Sequence, residues 1–175
     1  MPRIFSRFTI RLLGLLLVLA VLAAACEKDD ICVDGDTPLL VLTFNDINEA
    51  EITSKAVTRL RVIGLGNGDP ITTFNDRSNR DSVGLPLRLD TGRTGFVLIQ
   101  NSQNNEDGED TGNPDTLYLD YQVTEAFVSR ACGFVANFEG LSWELQADGS
   151  NWIDSVVIAN PFVQSSDSAH VTIYH

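Results

Sequence analysis

Residues 115–123 have the sequence DTLYLDYQV, and this stretch decides the fold class. Its apolar residues Leu117, Leu119 and Tyr121 alternate with residues of more polar character. Successive side chains of a β-strand point to opposite faces, so a period of two is typical of a strand with one buried face. The stretch therefore predicts a strand that covers a hydrophobic core with one of its two sides.

Similar apolar stretches recur along the chain and are separated by turn-forming clusters, such as GLGNGDP at 64–70 and ADGSN at 147–151. Many short strands with such turns indicate an all-β domain. We predict an antiparallel β-sandwich with an Ig-like or similar arrangement, and a small β-barrel is the alternative. The exception is TEAFVSRA at 124–131, where we expect one or two helical turns that begin at Thr124.

The segment between two of these predicted strands, residues 101–115, is long, acidic and rich in Asn and Gly. A loop of this length is expected to be mobile or to bind a ligand. Asp107, Glu109 and Asp110 supply clustered oxygen ligands, which calcium prefers, so they are weak calcium candidates. Their spacing does not follow the EF-hand pattern, and a solvated acidic loop is the alternative. The sequence predicts no other metal site and no cofactor.

Residues 1–25 have the features of a secretory signal peptide. Three arginines precede an uninterrupted run of 14 apolar or Gly residues, which ends in three alanines. A membrane-spanning helix needs about 20 apolar residues. This run is shorter, so a signal peptide is favoured over a transmembrane anchor. A transmembrane segment remains the alternative.

The small residues at 23–25 stand directly before Cys26 and resemble the lipobox of bacterial lipoproteins. The resemblance implies that the chain is cut before Cys26, that diacylglycerol modifies its thiol, and that further acyl chains such as palmitate anchor the protein. Two or more such chains hold a protein stably on a membrane. An ordinary signal peptide, which would leave Cys26 as a plain thiol, is the alternative.

The residues EKDD at 27–30 resemble the export signal of Bacteroidota lipoproteins that reach the outer face of the outer membrane; a solvated linker is the alternative. We therefore predict a lipidated N-terminus and short tether at 26–36 and a β-sandwich domain at 37–175. The expected location is the outer membrane with exposure at the cell surface, and the periplasmic face is the alternative.

The charge of the exported chain excludes some partners. Residues 26–175 keep all 24 acidic residues but only nine of the 12 basic ones, which gives a net charge of −15. Binding to nucleic acid requires clustered cations, so no nucleic acid partner is predicted. Docking of this acidic surface on anionic lipid head groups is disfavoured for the same reason.

Cys32 and Cys132 remain as an even pair after Cys26 is modified, and in an oxidising compartment such a pair predicts a disulfide. Two buried free thiols, or half of a metal site, are the alternatives. A disulfide at Cys32 leaves residues 27–31 as the free tether. Five extended residues reach about 17 Å, so the domain would lie close to the membrane.

Candidates for catalysis are scarce. The chain has no G-x-S-x-G motif, and only His170 and His175 could serve a catalytic triad. We expect both histidines to be exposed or on an edge strand, and we predict that the protein is not an enzyme.

Two residues are interaction candidates. Tyr118 lies on the polar side of its predicted strand and is the best member of a possible glycan-stacking surface, with core filling as the alternative for the aromatic residues. Arg130 stands beside Cys132 in an arginine-poor chain, and an ion pair with an Asp is its structural alternative.

Five short sequences carry a resemblance over the whole exported chain. They are SRACGF at 129–134, NWI at 151–153, AHVTIY at 169–174, CEKDDIC at 26–32 and TPLL at 37–40. Together they resemble an uncharacterised family of flavobacterial (Bacteroidota) lipoproteins of unknown function, which implies no enzyme activity and no catalytic residues. We predict a non-enzymatic accessory or structural partner of an outer-membrane protein complex; a surface module that binds glycan or calcium is the alternative.

Overall fold

The computed structural model describes residues 14, 32, 36–49 and 52–175. These residues form nine β-strands: β1 Leu40–Asn45, β2 Val57–Gly64, β3 Ser78–Arg80, β4 Ser82–Leu85, β5 Arg93–Gln100, β6 Asn113–Ser129, β7 Gly133–Leu145, β8 Ser155–Ile158 and β9 Val171–Tyr174. Apart from Gly14, the expected signal peptide lies outside the described residues, as do Cys26 and the tether at 27–31.

The strands form two sheets, which confirms the predicted β-sandwich. One sheet has four strands in the order β4-β1-β9-β8, and the other has five in the order β3-β2-β5-β6-β7. Neither sheet closes on itself within the described part of the chain. All pairs are antiparallel except β1 and β9, which run parallel with Leu42 opposite Val171. A parallel pair needs a long connection, and these two strands are separated by most of the domain.

The buried face of β6 follows the alternation that its sequence predicts. Leu117, Leu119 and Tyr121 are buried, and the intervening residues Tyr118 and Asp120 are half-buried on the other face. These side chains join the large apolar residues of both sheets in one core, whose fully buried members include Phe44, Phe96, Phe138, Leu40, Leu60 and Ile173. Removing one such side chain in a Leu→Ala change typically costs 2–5 kcal/mol.

The helical turns expected at Thr124 are absent, because β6 continues as a strand to Ser129. Val123 lies opposite Phe138 and Phe127 opposite Phe134, so this half of β6 pairs with β7 along its length. The segment is rich in β-branched and aromatic residues, which favour extended structure. A segment of eight residues gives no clear choice between helix and strand by periodicity, and the pairing with β7 decides it.

Two buried polar side chains, Thr94 and Tyr121, hold the start of β5 against β6. The Tyr121 hydroxyl donates a hydrogen bond to the carbonyl oxygen of Arg88 at 2.8 Å and lies 2.5 Å from Thr94 Oγ1. Thr94 Oγ1 in turn accepts a hydrogen bond from the backbone N–H of Arg88. The closed set of hydrogen bonds fixes the connection between β4 and β5 over the edge of the core.

Asp115 is fully buried at the start of β6. Its Oδ2 accepts a hydrogen bond from the backbone N–H of Ile153 at 2.8 Å, while Oδ1 has no hydrogen-bond partner among the described residues. Burial raises the pKa of this carboxyl, although backbone hydrogen bonds, the strongest from Ile153, act in the opposite direction. Ionised Asp115 therefore weakens the fold.

We predict that the stability of Asp115→Asn relative to the native protein increases with pH. The folded-state pKa of Asp115 is above its unfolded value, so the native protein is penalised once the pH rises above about 4, where the unfolded chain ionises. Asn keeps an oxygen acceptor for Ile153 without the charge. Urea unfolding between pH 3 and pH 8 measures the difference, and a difference that stays constant over this range contradicts the prediction.

The control is Asp115→Ala. This variant loses the acceptor for the Ile153 N–H, and we expect it to be less stable than Asp115→Asn by about 1–3 kcal/mol at every pH.

Candidate functional site

The longest hairpin of the protein projects beyond the sandwich. β6 pairs with β5 only between Asn113 and Asp120, whereas its pairing with β7 continues to Ser129. Nine residues of β6 therefore lie past the last β5 partner, a length of about 30 Å. The outer part of this hairpin is a two-stranded ribbon, and we call residues 126–136 the hairpin tip.

Two phenylalanines cover one face of the hairpin tip. Phe127 and Phe134 lie directly opposite each other, and their rings pack edge to face with centroids 5.4 Å apart. They remain 60% and 66% exposed. They lie on the same face of the ribbon as Val123 and Phe138, which pack in the core. The apolar face of the sheet thus continues past the point where the sandwich covers it.

A disulfide ties the hairpin tip to the N-terminal part of the chain. Cys32 and Cys132 are bonded, with a sequence separation of 100 and 4.9 Å between their Cα atoms. This is the disulfide that the cysteine count predicts. The backbone N–H of Cys132 donates to Ser129 Oγ, and Gly133 follows with a φ of +73°, a conformation that suits glycine in this turn.

Arg130 is exposed at the end of the hairpin tip and makes no ion pair with any residue that the structure describes. The alternative, an ion pair with an Asp, is therefore not seen in this part of the chain. Five other basic residues do pair with carboxylates: Lys55, Arg61, Arg77, Arg88 and Arg93. The hairpin tip itself contains no acidic residue, in a chain with 24 of them. Its local charge is thus positive.

Tyr118 lies on the outer face of the five-stranded sheet, as predicted, but its ring is engaged within the protein. The Arg93 guanidinium carbon lies 4.3 Å from the ring centroid, in a cation–π contact. The ring also covers Gly95, where an added Cβ would lie only 2.8 Å from it. Arg93 is held in turn by Asp120 and Glu144. The cluster leaves Tyr118 less suited to stack on a sugar than its sequence position suggests.

Other aromatic residues that could extend a stacking surface from Tyr118 are the two tryptophans and Phe162. Trp152 is buried in the core and donates its indole N–H to the Leu98 carbonyl. Trp143 on β7 and Phe162 after β8 are 41% and 47% exposed. Among the described residues, no ring contact joins Trp143 or Phe162 to Tyr118.

The acidic loop between β5 and β6 is fastened to the sandwich by Asp110. Its carboxylate pairs with Arg61 at 3.3 Å and Arg77 at 3.4 Å, and it accepts a hydrogen bond from buried Ser102. Burial by itself raises the pKa of Asp110, but hydrogen bonds from Ser102, Gly112 and the two arginines lower it to about 2. The sequence predicted a mobile or ligand-bound loop and gave no sign that Asp110 attaches the loop to the sandwich.

The calcium candidates do not converge in this loop. Asp110 faces the two arginines, whereas Asp107 and Glu109 are exposed. Glu109 accepts a hydrogen bond from the Asn105 side chain. In the described ranges, no three His, Cys, Asp or Glu side chains are grouped so that they could hold a metal ion.

Both histidines are buried, so the expectation that they are exposed or on an edge strand is wrong. His170 Nδ1 accepts a hydrogen bond from the backbone N–H of Val41, and His175 Nε2 lies 3.2 Å from the Lys55 carbonyl oxygen. The two histidines flank β9, which lies inside its sheet between β1 and β8. Burial lowers the pKa of each imidazole. Sequence spacing gave no signal for this, because it depends on the neighbours of β9.

The sequence interpretation also missed a groove of about 640 Å³ between the turn after β2 and the segment after β4. Leu65, Pro70 and Leu87 supply apolar walls, and Asp69 and Arg88 lie at its polar side. Arg88 is already paired with Asp90. The groove contains none of the predicted site residues.

Comparison with known proteins places the chain in a family. DUF6452, a family of unknown function, matches residues 59–175. The chain belongs to this family. The matched region runs from β2 to the last residue and includes the whole hairpin and Cys132. Searches of curated proteins and of solved structures found no match.

One further observation concerns membrane spans. Over residues 14, 32, 36–49 and 52–175, no helix is long and apolar enough to cross a bilayer.

We predict that Asp110→Asn destabilises the protein by about 1–2 kcal/mol at neutral pH, because two arginines lose their shared carboxylate. The contribution of Asp110 is present above pH 4 and disappears as the pH falls through about 2, since its folded-state pKa is below its unfolded value. Urea unfolding at several pH values measures this.

The matched control is Asp107→Asn in the same loop, where the side chain is exposed and we expect a change of less than about 0.5 kcal/mol. A calcium-dependent gain in stability that both variants lose would contradict the structural role of Asp110.

We predict that the double variant Cys32→Ser, Cys132→Ser loses about 2–5 kcal/mol of stability, because the disulfide closes a loop of 100 residues in the unfolded chain. Urea unfolding of the oxidised protein and of the variant measures the loss. The native protein in reductant should match the variant; equal stability of the oxidised and reduced proteins would contradict the prediction.

Proposed function

We propose that the protein is an outer-membrane lipoprotein that acts as a non-enzymatic accessory or structural partner of an outer-membrane protein complex. In this proposal acyl chains on Cys26 anchor the protein, and the domain is exposed at the cell surface. The membership in DUF6452 assigns no activity, so the support comes from the sequence of the N-terminus and from the geometry of the hairpin.

The disulfide at the hairpin tip is the observation that carries the proposal. It bonds Cys32, the sixth residue after Cys26, to the end of the longest hairpin. Only residues 27–31 then separate the folded domain from the lipidated residue, a reach of about 17 Å. A domain held at this distance cannot search far from the bilayer. Such a tether suits a protein that works beside a neighbour in the same membrane.

The positions of the titratable residues support a non-enzymatic role. His170 and His175 are buried and make backbone hydrogen bonds, so neither has the exposed nitrogen that a general base needs. The alternative of a glycan- or calcium-binding module has less support, because Arg93 engages Tyr118 and two arginines engage Asp110.

We predict that the native protein co-purifies with an outer-membrane protein after crosslinking in intact membranes and solubilisation in detergent. An affinity tag is best inserted between Glu106 and Asp107, because this loop tip is exposed whereas His175 is buried. Mass spectrometry of the same preparation should find a diacylglyceryl group on an N-terminal Cys26.

The control is Cys26→Ser, which should lose both the acyl chains and the co-purifying protein. An unacylated native N-terminus, or a native protein that is consistently recovered alone, would contradict the proposal.

A further inference from the structure

We infer that the hairpin tip inserts into the interfacial layer of the phospholipid membrane that carries the anchor. Phe127 and Phe134 would enter the boundary between head groups and acyl chains, and Arg130 would contact a head-group phosphate. The inference rests on the proposed function, because it names the surface through which the anchored domain meets the bilayer.

The exposed aromatic pair is the first argument. Phe127 and Phe134 are 60% and 66% exposed, although their rings contact each other, so the protein itself leaves most of both rings in water. Val128, on the other face of the ribbon, is 38% exposed. An apolar cluster at the end of a projecting hairpin marks a site of contact with a membrane or a protein. Phe is one of the apolar residues that amphipathic segments bury at the boundary between head groups and acyl chains.

The local charge is the second argument and favours the membrane as the occupant. The acidic domain as a whole is repelled by anionic head groups. The hairpin tip is the exception, because residues 126–136 contain no acid and carry Arg130, which makes no ion pair with a described residue. A guanidinium binds phosphate oxygens with paired hydrogen bonds. Among the described residues, the hairpin tip is therefore the surface that anionic head groups repel least, which favours an orientation with the hairpin directed at the bilayer.

The tether is the third argument. Cys132 lies within the hairpin tip and is bonded to Cys32, so the chain that leads to the anchor starts at this end of the domain. With residues 27–31 as the only link, the tip is held within about 17 Å of the lipidated residue. The exposed phenylalanines thus lie on the part of the domain that is covalently kept nearest to the lipid.

The test measures the depth of the tip in a bilayer. The full acylated protein is reconstituted in vesicles of phosphatidylethanolamine with a minor fraction of phosphatidylglycerol, with or without bromine on the acyl chains. Phe127→Trp adds a fluorophore at the tip, and bromine quenches tryptophan only where the ring reaches the lipid chains. We expect brominated lipid to quench the added emission of this variant strongly.

The matched control is Phe162→Trp, which adds a fluorophore at an exposed aromatic position outside the hairpin. Trp143 and Trp152 contribute the same background to both variants, and the native protein measures it. We expect quenching of Phe162→Trp to stay at that background. Equal quenching of the two variants, or none in either, would overturn the inference.

The outcomes separate this inference from the proposed function. Acylated protein in which Phe127→Trp is not quenched overturns membrane insertion and leaves the anchor and its partner standing. If the tip instead crosslinks to a protein in cell membranes and is not quenched in vesicles, the tip is a protein-docking surface and the inference is wrong. An unacylated Cys26 in the native protein contradicts the proposed function at its own test.

Folding of the variants is checked independently. Because Phe127 and Phe162 are exposed, we expect the urea-unfolding midpoints of both variants to match that of the native protein. The double variant Phe127→Ser, Phe134→Ser provides a second measurement. It should retain the disulfide and the fold. A tryptophan introduced at Val128, also in the hairpin tip, should be quenched by brominated lipid in the native background and not in the double variant.

Discussion

The pairing of β6 with β7 is the interaction on which both the core and the candidate site depend. At one end of this ladder, Leu117 and Leu119 fill the sandwich; at the other, Phe127 faces Phe134 in water. The register with β7 shifts between Asp120 and Gln122, but Val123 and Phe127 stay on the side of β6 that faces the core, so one apolar face serves both purposes. A break in this ladder would disturb the packing of the five-stranded sheet and the position of the hairpin tip together.

The disulfide restricts the part of the molecule that the sandwich cannot stabilise. A two-stranded ribbon is only marginally stable by itself in water. The bond between Cys32 and Cys132 supplies a covalent constraint at the far end of that ribbon, where none of the described strands forms a third partner. The acidic loop is held by ion pairs instead, because the Asp110 carboxylate pairs with two arginines from distant segments of the chain. Both devices act on segments that lack a core of their own.

Local patterns predicted the parts of the fold that depend on neighbouring residues. The alternation at 115–123 was sufficient for β6, and the even cysteine count for the disulfide. The helical turns predicted from Thr124 were wrong, because the strand conformation of this short segment depends on its pairing with β7, which the sequence does not show. The mirrored order of Val123 and Phe127 before the turn, and Phe134 and Phe138 after it, was a signal for a hairpin that could have been used.

Features that depend on residues distant in sequence could not be predicted from local patterns. The burial of His170 follows from its position between β1 and β8, and the role of Asp110 follows from Arg61 and Arg77. The same distance has a consequence for folding. Because β9 lies inside the four-stranded sheet, β1 lacks an inner neighbour until residue 174 has been synthesised. Such a topology is expected to fold slowly, because the ends of a long chain segment must come together before these two strands can pair.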